Sequence, residues 1–245
     1  MEKLALVIPI YNEQGAIGEV LTNWVLELRR LNISFSIMAF NDGSKDNTSS
    51  IIQKQAQQFP EIIRLDKTNK GHGPTILEGY RMAVDEGFDW IFQIDGDNEM
   101  TVKEFSKLWE AREHYDYLVG NRINRESPWA RRIISTVSYW TVKLFYGGHL
   151  KDVNCPYRLM RASFFKPAYS SIPADTFAPN VILAGIACFT GARTFETTAH
   201  FSSRKTGSVS IKKWKLLKAA FKSFSQTIQY IQVKRAYLKE AFHLK

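Results

Sequence analysis

Cysteine is scarce in this sequence of 245 residues: only Cys155 and Cys188 occur, with no metal-ligand spacing. That excludes a disulfide scaffold and a cysteine-held metal, and it fits unpaired thiols in a reducing cytosol. Long apolar runs are also missing. The best, Leu4–Ile10 and Val181–Phe189, fall short of the ~18–20 residues of a bilayer span, and Gly185 breaks the second. The N-terminus lacks the basic-then-apolar order of a signal peptide. A cytoplasmic chain that does not cross a membrane is therefore expected. No Gly-x-Gly-x-x-Gly follows the first strand, which argues against a dehydrogenase. A nucleotidyltransferase would need a Gly-rich, Arg-containing loop near the N-terminus, and none is present. Internal repeats, low-complexity segments and long Pro/Ser/Gly linkers are lacking as well.

What is present is material for a sizeable core, with 44% hydrophobic and 13% aromatic residues. The formal charge of +9 suggests a polyanionic partner until it is located. From Arg204 to Lys245 there are 11 Lys+Arg and one acid, a net of +10, so the first 203 residues carry −1. The basicity belongs to the tail, and nucleic acid is not the expected partner.

The first 120 residues alternate β-rich runs with amphipathic stretches, the pattern of a mostly parallel α/β sheet with crossover helices. Strands are expected at Leu4–Pro9, Phe35–Phe40, Ile62–Leu65, Trp90–Ile94 and Tyr117–Val119. Helices are expected at about Gly15–Leu31, Asp46–Gln58, Gly73–Glu86 and Val102–His114, with Asp46 and the Thr101/Glu104 pair as caps. Further on, the spacing predicts a helix over Ser127–Tyr146, a hairpin-like run over Asp152–Arg161, a helix near Pro179–Phe189 and a strand near Arg193–Ala199.

Ligands of such sheets collect at the carboxyl ends of the strands, and that is where the chemistry-bearing residues fall. After the fourth strand, Asp95-Gly96-Asp97 places two carboxylates around one small residue. Such a pair can share a hard divalent cation with a diphosphate, although Asp-x-Asp is also an ordinary surface turn. The first strand ends in Pro9-Ile10-Tyr11-Asn12-Glu13 and the second in Asn41-Asp42-Gly43, where an acid can accept from a nucleoside and Gly43 lets the backbone turn closely. The third leads into Asn69-Lys70-Gly71-His72-Gly73, a loop opening a helix whose N–H groups could face an anion. His72 is either a phosphate donor or a loop-surface residue.

Together these motifs, with Gly120-Asn121-Arg122, resemble the family-two glycosyltransferases of the GT-A fold. Asp152-Val153-Asn154-Cys155-Pro156-Tyr157-Arg158 and Arg204-Lys205-Thr206-Gly207-Ser208 are similar to later motifs of the dolichol- and polyprenyl-phosphate sugar synthase branch. The resemblance covers residues 4 to about 214. It implies inverting transfer of a sugar from a nucleotide diphosphate donor, with Mg²⁺ or Mn²⁺ as cofactor. By matching position, Pro9, Tyr11, Glu13 and Asp42 would hold the nucleoside, Asp95 would lie near ribose and metal, and Asp97 on the metal. Glu99 stands where relatives often have Gln as a further metal contact. Arg122, Arg204 and Lys205 would face diphosphate or acceptor phosphate. His200 is a further candidate metal ligand, or simply a polar residue in a turn.

A phosphate acceptor is already ionised and needs no base, whereas a hydroxyl acceptor needs one. Many relatives carry an acid in the helix before the last strand, where this chain has Asn180; Asp152 and Asp175 are the reserve candidates for a base. A polyprenyl-phosphate or other membrane-associated acceptor is therefore expected, with a hydroxyl of a growing glycan as the alternative. From Ile211, the residues Trp214, Leu217, Phe221, Phe224, Ile228 and Ile231 recur at helical spacing, with Lys212, Lys215, Lys218 and Lys222 mostly opposite. Such a helix either lies on an anionic membrane surface or packs on the domain or a twin subunit. The expected layout is a glycosyltransferase domain over 1–210, with a nucleotide-sugar half (1–120) and an acceptor-side half (121–210), followed by a basic amphipathic extension (211–245). A competitor of another class is a non-catalytic basic module binding membrane or nucleic acid through residues 204–245.

Overall fold

The computed structural model describes residues 2–123, 129–148, 150–201 and 213–244; the side chains of 123, 129–132, 213–217 and 219 are outside that description. Seven strands in these residues form one sheet: β1 (Lys3–Ile10), β2 (Ser34–Asp42), β3 (Ile62–Lys67), β4 (Trp90–Gln93), β5 (Tyr117–Ile123), β6 (Arg158–Arg161) and β7 (Thr194–His200). Their order is β3-β2-β1-β4-β6-β5-β7, with β6 alone antiparallel to its neighbours. Eight helices accompany them: α1 (Ile17–Arg30), α2 (Thr48–Gln58), α3 (His72–Asp85), α4 (Phe105–Ala111), α5 (Trp129–Tyr146), α6 (Ala162–Ser171), α7 (Pro179–Phe189) and α8 (Lys213–Ala241).

The central strand β1 has every residue from Leu4 to Ile10 buried, as a parallel strand covered on both faces requires. α1 covers one face through Ile17, Val20, Leu21, Trp24, Val25 and Leu28, a three-and-four spacing. The Trp24 ring meets Phe92, Phe105 and Tyr157 at 5.3, 5.6 and 6.2 Å, which joins the two halves of the sheet. On the other face α3 lies so close that a Cβ on Gly79 would sit 2.5 Å from Val7. Successive strands run outward from β1 to β2 and β3, and then the order reverses to β4. The carboxyl ends of β1 and β4 thus flank a topological switch point, the place where the ligand crevice of such sheets lies.

Several local expectations are corrected. The run over Asp152–Arg161 is no hairpin: only Arg158–Arg161 is extended, inserted between β4 and β5, whose partners are remote in sequence. α6 was not expected, because Pro167 interrupts its pattern; burial of Phe165, Ala168 and Tyr169 outweighs that cost. Arg81 of α3 helps by donating to the carbonyls of Tyr169 and Ile172, at 2.8 and 2.5 Å, which no later turn would satisfy. The expected helix over 102–114 shortens to α4 plus a 3₁₀ turn at Arg112–His114. Thr101 does not cap it; its hydroxyl bonds the Glu104 carboxylate at 2.5 Å instead. β5 reaches Ile123, so Gly120-Asn121-Arg122 lies within a strand rather than after one.

α8 is joined to the body. Tyr146 Oη donates to the Thr227 carbonyl at 2.8 Å, and Tyr230 meets Ser171 at 2.7 Å. The stripe expected to run unbroken along it divides: Ile231 is buried beside Tyr230 and Leu238, while Phe221 and Phe224 stay exposed. Small Ser223 and Thr227 face the body there, and Thr227 bonds the Ser223 carbonyl at 2.7 Å, so burial leaves that hydroxyl satisfied.

Candidate active site

The first two strand ends are laced together. Asn12, at φ 56°, donates its N–H to the Ser44 hydroxyl oxygen at 3.0 Å, and its Oδ1 accepts from the Lys45 N–H at 2.8 Å. Glu13 N–H donates to Thr48 at 2.9 Å and Gln14 N–H to Asp46 at 3.3 Å. Asp46 also accepts from the Thr48 N–H at 3.0 Å, while Asn47 is the residue that precedes α2. This bracing leaves the Tyr11 ring exposed at the crevice and Pro9 buried beneath it.

Asp42 is buried, and its two oxygens accept from the Lys70 and Gly71 N–H groups at 2.9 Å each. Two amides just before α3 are thus taken up by a carboxyl of the protein itself. Gly43 adopts φ 71°, and a Cβ there would lie 2.9 Å from Asn69 N, so the β2 and β3 ends approach as only glycine allows. Lys70 keeps its side chain exposed. Gly71, at φ 92°, turns the chain into α3.

At the end of β4, Asp95 Oδ1 meets His72 Nε2 at 2.9 Å and Gln93 Nε2 at 3.1 Å. Crevice desolvation works against charge on the His72 ring, but Asp95, Asp97 and Asp42 outweigh it and raise its pKa, although 53% of the side chain is open to solvent. Gly96 packs under the turn against Ile10. Asp97 Oδ1 accepts from the Glu99 N–H at 3.2 Å, around Asn98 at φ 59°. These carboxylate oxygens suit a hard cation. Among the described residues no three His, Cys, Asp or Glu side chains form a metal-holding group, so an ion here would draw its other ligands from phosphate oxygens and water.

The antiparallel bridge between Met100 and Phe201 brings the end of β7 to the segment that follows Asp97. His200 thus sits beside the crevice, at the end of a strand rather than in a turn, with Nδ1 2.5 Å from Glu104 Oε1. Burial would raise the Glu104 carboxyl, yet its bonds with Thr101 and His200 prevail and hold it low. A carboxylate on one ring nitrogen orients the other outward, the arrangement found behind many metal-bound histidines.

Arg122 and Asp152 form a two-bond ion pair at 2.6 and 2.8 Å, both largely buried. Desolvation opposes the Arg122 charge, but Asp152 outweighs it and raises the guanidinium pKa. Asp152, expected as a reserve base, is placed as the partner of Arg122. Asp175 is exposed in the loop before α7, lining with Lys70 and Arg81 a groove of about 780 Å³ along α3. That loop presses on the start of α3: a Cβ on Gly73 would lie 2.2 Å from the Phe177 carbonyl oxygen. Arg204 and Lys205 fall outside the described residues.

Two contributors were missed in the sequence, Gln93 and Tyr80. Both are buried and linked to Asn180, whose Nδ2 donates to Gln93 Oε1 at 2.9 Å and whose Oδ1 accepts from Tyr80 at 2.9 Å. The available signal was a glutamine inside the apolar run of β4, two residues before Asp95 and so on the same strand face.

The family model described as Glycosyl transferase family 2 matches residues 5–168. A curated relative, the undecaprenyl-phosphate 4-deoxy-4-formamido-L-arabinose transferase of Serratia proteamaculans, is 25% identical over 182 residues, 73% of this chain and 55% of its own length. The chain thus spans about half of that relative. Mannosyl-3-phosphoglycerate synthase of Rubrobacter xylanophilus superposes with a TM-score of 0.68 at 10% identity, covering 96% of this chain and 75% of that one. Glucosyl-3-phosphoglycerate synthase of Mycobacterium tuberculosis, solved with Mn²⁺, UDP and glucosyl-3-phosphoglycerate, gives 0.65 at 11% identity, with 94% and 80% covered. S. aureus TarS residues 1–349 with UDP-GlcNAc gives 0.59 at 14%, with 97% and 74% covered. These structures share the mostly parallel sheet flanked by helices.

Proposed function

Since the chain belongs to glycosyl transferase family 2, we propose that it moves a sugar, with inversion, from a nucleotide diphosphate to a polyprenyl phosphate or similar acceptor at a membrane surface. The observation that carries this reading is the convergence of Asp95-Gly96-Asp97, His72 and the Asp42-braced loop at the β1/β4 switch point. The nucleoside lies against Pro9, Tyr11 and Glu13, with Asp42 shaping the pocket wall by holding the Lys70–Gly71 amides. Asp95 and Asp97 would hold Mg²⁺ or Mn²⁺, with Glu99 and His200 at its margin, and the ion would neutralise the departing diphosphate. Arg122, oriented by Asp152, adds a fixed positive group, and Arg204 and Lys205 supply further donors.

In the transfer the bond from the anomeric carbon to the β-phosphate oxygen breaks, its electron pair leaving with the diphosphate, while the acceptor oxygen attacks from the opposite face. Asn180 supports a phosphate acceptor, because both ends of its amide are engaged and it cannot take a proton. The curated relative acts on undecaprenyl phosphate by name. No described helix is long and apolar enough to cross a membrane. Peripheral contact with an anionic surface is supported by Ile133, Val137, Trp140 and Leu144 on α5 with Phe221 and Phe224 on α8, all exposed. Lys143 lies 4.9 Å from the Trp140 ring, and Lys218 and Lys222 are exposed nearby in sequence on α8.

Thermal denaturation with UDP, GDP and other nucleotide diphosphates, each with Mn²⁺ or Mg²⁺, tests the donor site. One nucleotide should raise the melting temperature only with metal, the stabilisation being about 2.7 kcal/mol at a hundredfold excess over Kd. Asp97→Ala should abolish the rise. No stabilisation by any pair, or an unchanged rise in the variant, refutes the proposal.

A further inference from the structure

We infer that Gln93, itself held by Asn180, is a positioning residue that fixes the Asp95 carboxylate; this rests on the reading of Asp95 as part of the metal and donor site. Asp95 lies two residues beyond Gln93, the last residue of β4. Gln93 donates to its Oδ1 at 3.1 Å, on the same oxygen that meets His72. The glutamine amide can do this in one orientation only. Its Oε1 accepts from the Asn180 Nδ2 at 2.9 Å, and the Tyr80 oxygen lies 3.2 Å away with its one proton on the nearer Asn180 Oδ1. Asn180 is fixed in turn, its Oδ1 by Tyr80 at 2.9 Å and its main-chain carbonyl by Arg158 Nη1 at 2.8 Å.

Gln93, Tyr80 and Arg158 are fully buried and Asn180 is 4% exposed. Polar and charged side chains in a core carry a desolvation cost that apolar residues of similar size avoid. Here they form one row crossing β6, α7, α3 and β4, and the row ends on the carboxylate that faces the crevice. Every amide in it has its donor and acceptor ends set by a neighbour, so the chain transmits orientation as well as filling space. Partners behind a metal ligand of this kind are typically worth about 10- to 100-fold in metal affinity.

The test measures Mn²⁺ affinity at saturating UDP by electron paramagnetic resonance, together with the melting temperature of the metal-free protein. Gln93→Met removes the donor to Asp95 at similar volume. Asn180→Asp keeps the acceptor for Tyr80 but has no N–H to give, so Gln93 turns its NH₂ group toward it and its oxygen toward Asp95. Both should weaken Mn²⁺ by about tenfold or more, with Asn180→Asp acting without touching Asp95. A purely structural role would lower the melting temperature and leave the affinity of the folded protein unchanged, and that result overturns the inference. Asp95→Asn is the separate control. If it binds Mn²⁺ as the wild-type chain does, or if the wild-type chain binds none with UDP, the reading of Asp95 fails and the inference falls with it.

Discussion

Gly73→Ala puts the packing between the start of α3 and the segment before α7 under direct strain. Gly73 is the second residue of α3, and in a free helix alanine there would gain about 0.5–1 kcal/mol over glycine. In this fold the added methyl would lie 2.2 Å from the Phe177 carbonyl oxygen and 2.4 Å from that of Thr176. Both carbonyls would have to retreat by roughly 1 Å or more to reach ordinary contact distance. They are backbone atoms, and Phe177 N–H is pinned to Gln226 of α8 at 2.8 Å, so the loop cannot swing away alone. Overpacking of this kind costs about 1–3 kcal/mol. Two backbone oxygens this close put the cost at the upper end, about 3 kcal/mol, so after the helix gain the net loss is about 2–2.5 kcal/mol, a fall of several degrees at about 2–4 °C per kcal/mol for a chain of this size. Scanning calorimetry would read the fall, and titration with UDP and Mn²⁺ would show weaker binding, because His72 is the neighbouring residue. A melting temperature at or above that of the wild-type chain would mean that the 176–177 segment is not seated on α3, and the reasoning fails.

Asp116 supplies a pH-dependent prediction. Burial would raise its carboxyl, but bonds and charge from Arg193, with Arg161 at 3.3 Å, prevail and hold its pKa below the ordinary value. Its contribution is therefore complete above the unfolded pKa of about 3.9 and is lost as pH falls through the lower folded value. Asp116→Asn should cost about 1–3 kcal/mol at neutral pH and much less near pH 2, read by circular dichroism during urea unfolding at each pH; equal losses at both would refute it. Asp175→Asn should leave kcat within about twofold on a polyprenyl-phosphate acceptor, since removing a true base costs about 10²–10⁴-fold. A loss of that size would favour a hydroxyl acceptor. The double variant Trp140→Ser/Phe221→Ser should sediment less with vesicles containing phosphatidylglycerol, with its melting temperature unchanged because both side chains are substantially exposed; undiminished sedimentation would remove α5 and α8 as the contact surface.

The fold of the first 120 residues was legible because its signals are local. Each strand is a short apolar run, and the residues proposed for the donor site follow directly, as Asn41-Asp42-Gly43 and Asp95-Gly96-Asp97 do. The second half was less so, because its decisive contacts are between distant residues. β6 reads as a hairpin arm until β4 and β5 are seen to claim it, and α6 is hidden by a proline that tertiary burial overrides. The residue types of Arg122 and Asp152 advertised chemistry. Nothing in a sequence shows that they face each other 30 positions apart and share their charge. Likewise Asn180 stood out as a missing acid, whereas its role in holding Gln93 depends on a contact spanning 87 positions.

The electrostatics of the crevice bear on the proposed divalent ion. Asp42, Asp95 and Asp97 all act on the His72 ring, so three carboxylates lie within reach of the place where a diphosphate would bind. Of the cations described nearby, Arg122 is paired with Asp152, His72 is paired with Asp95, and Lys70 holds its side chain out to solvent, so the acids still outnumber the cations. A diphosphate entering this set alone would meet net repulsion, and a low-dielectric crevice would strengthen it. Residues 1–203 carry a net charge of −1, so the body as a whole does not offset it. Donor binding on this reading therefore depends on a divalent ion, with Arg204 and Lys205 as the nearest positive charge in the sequence beyond β7. UDP affinity should accordingly fall steeply when the metal is chelated. Asp97→Asn, which removes one negative charge along with one ligand, should lessen that dependence on metal. Were UDP to bind the wild-type chain equally well in EDTA, the crevice could not carry the acids in the roles assigned to them.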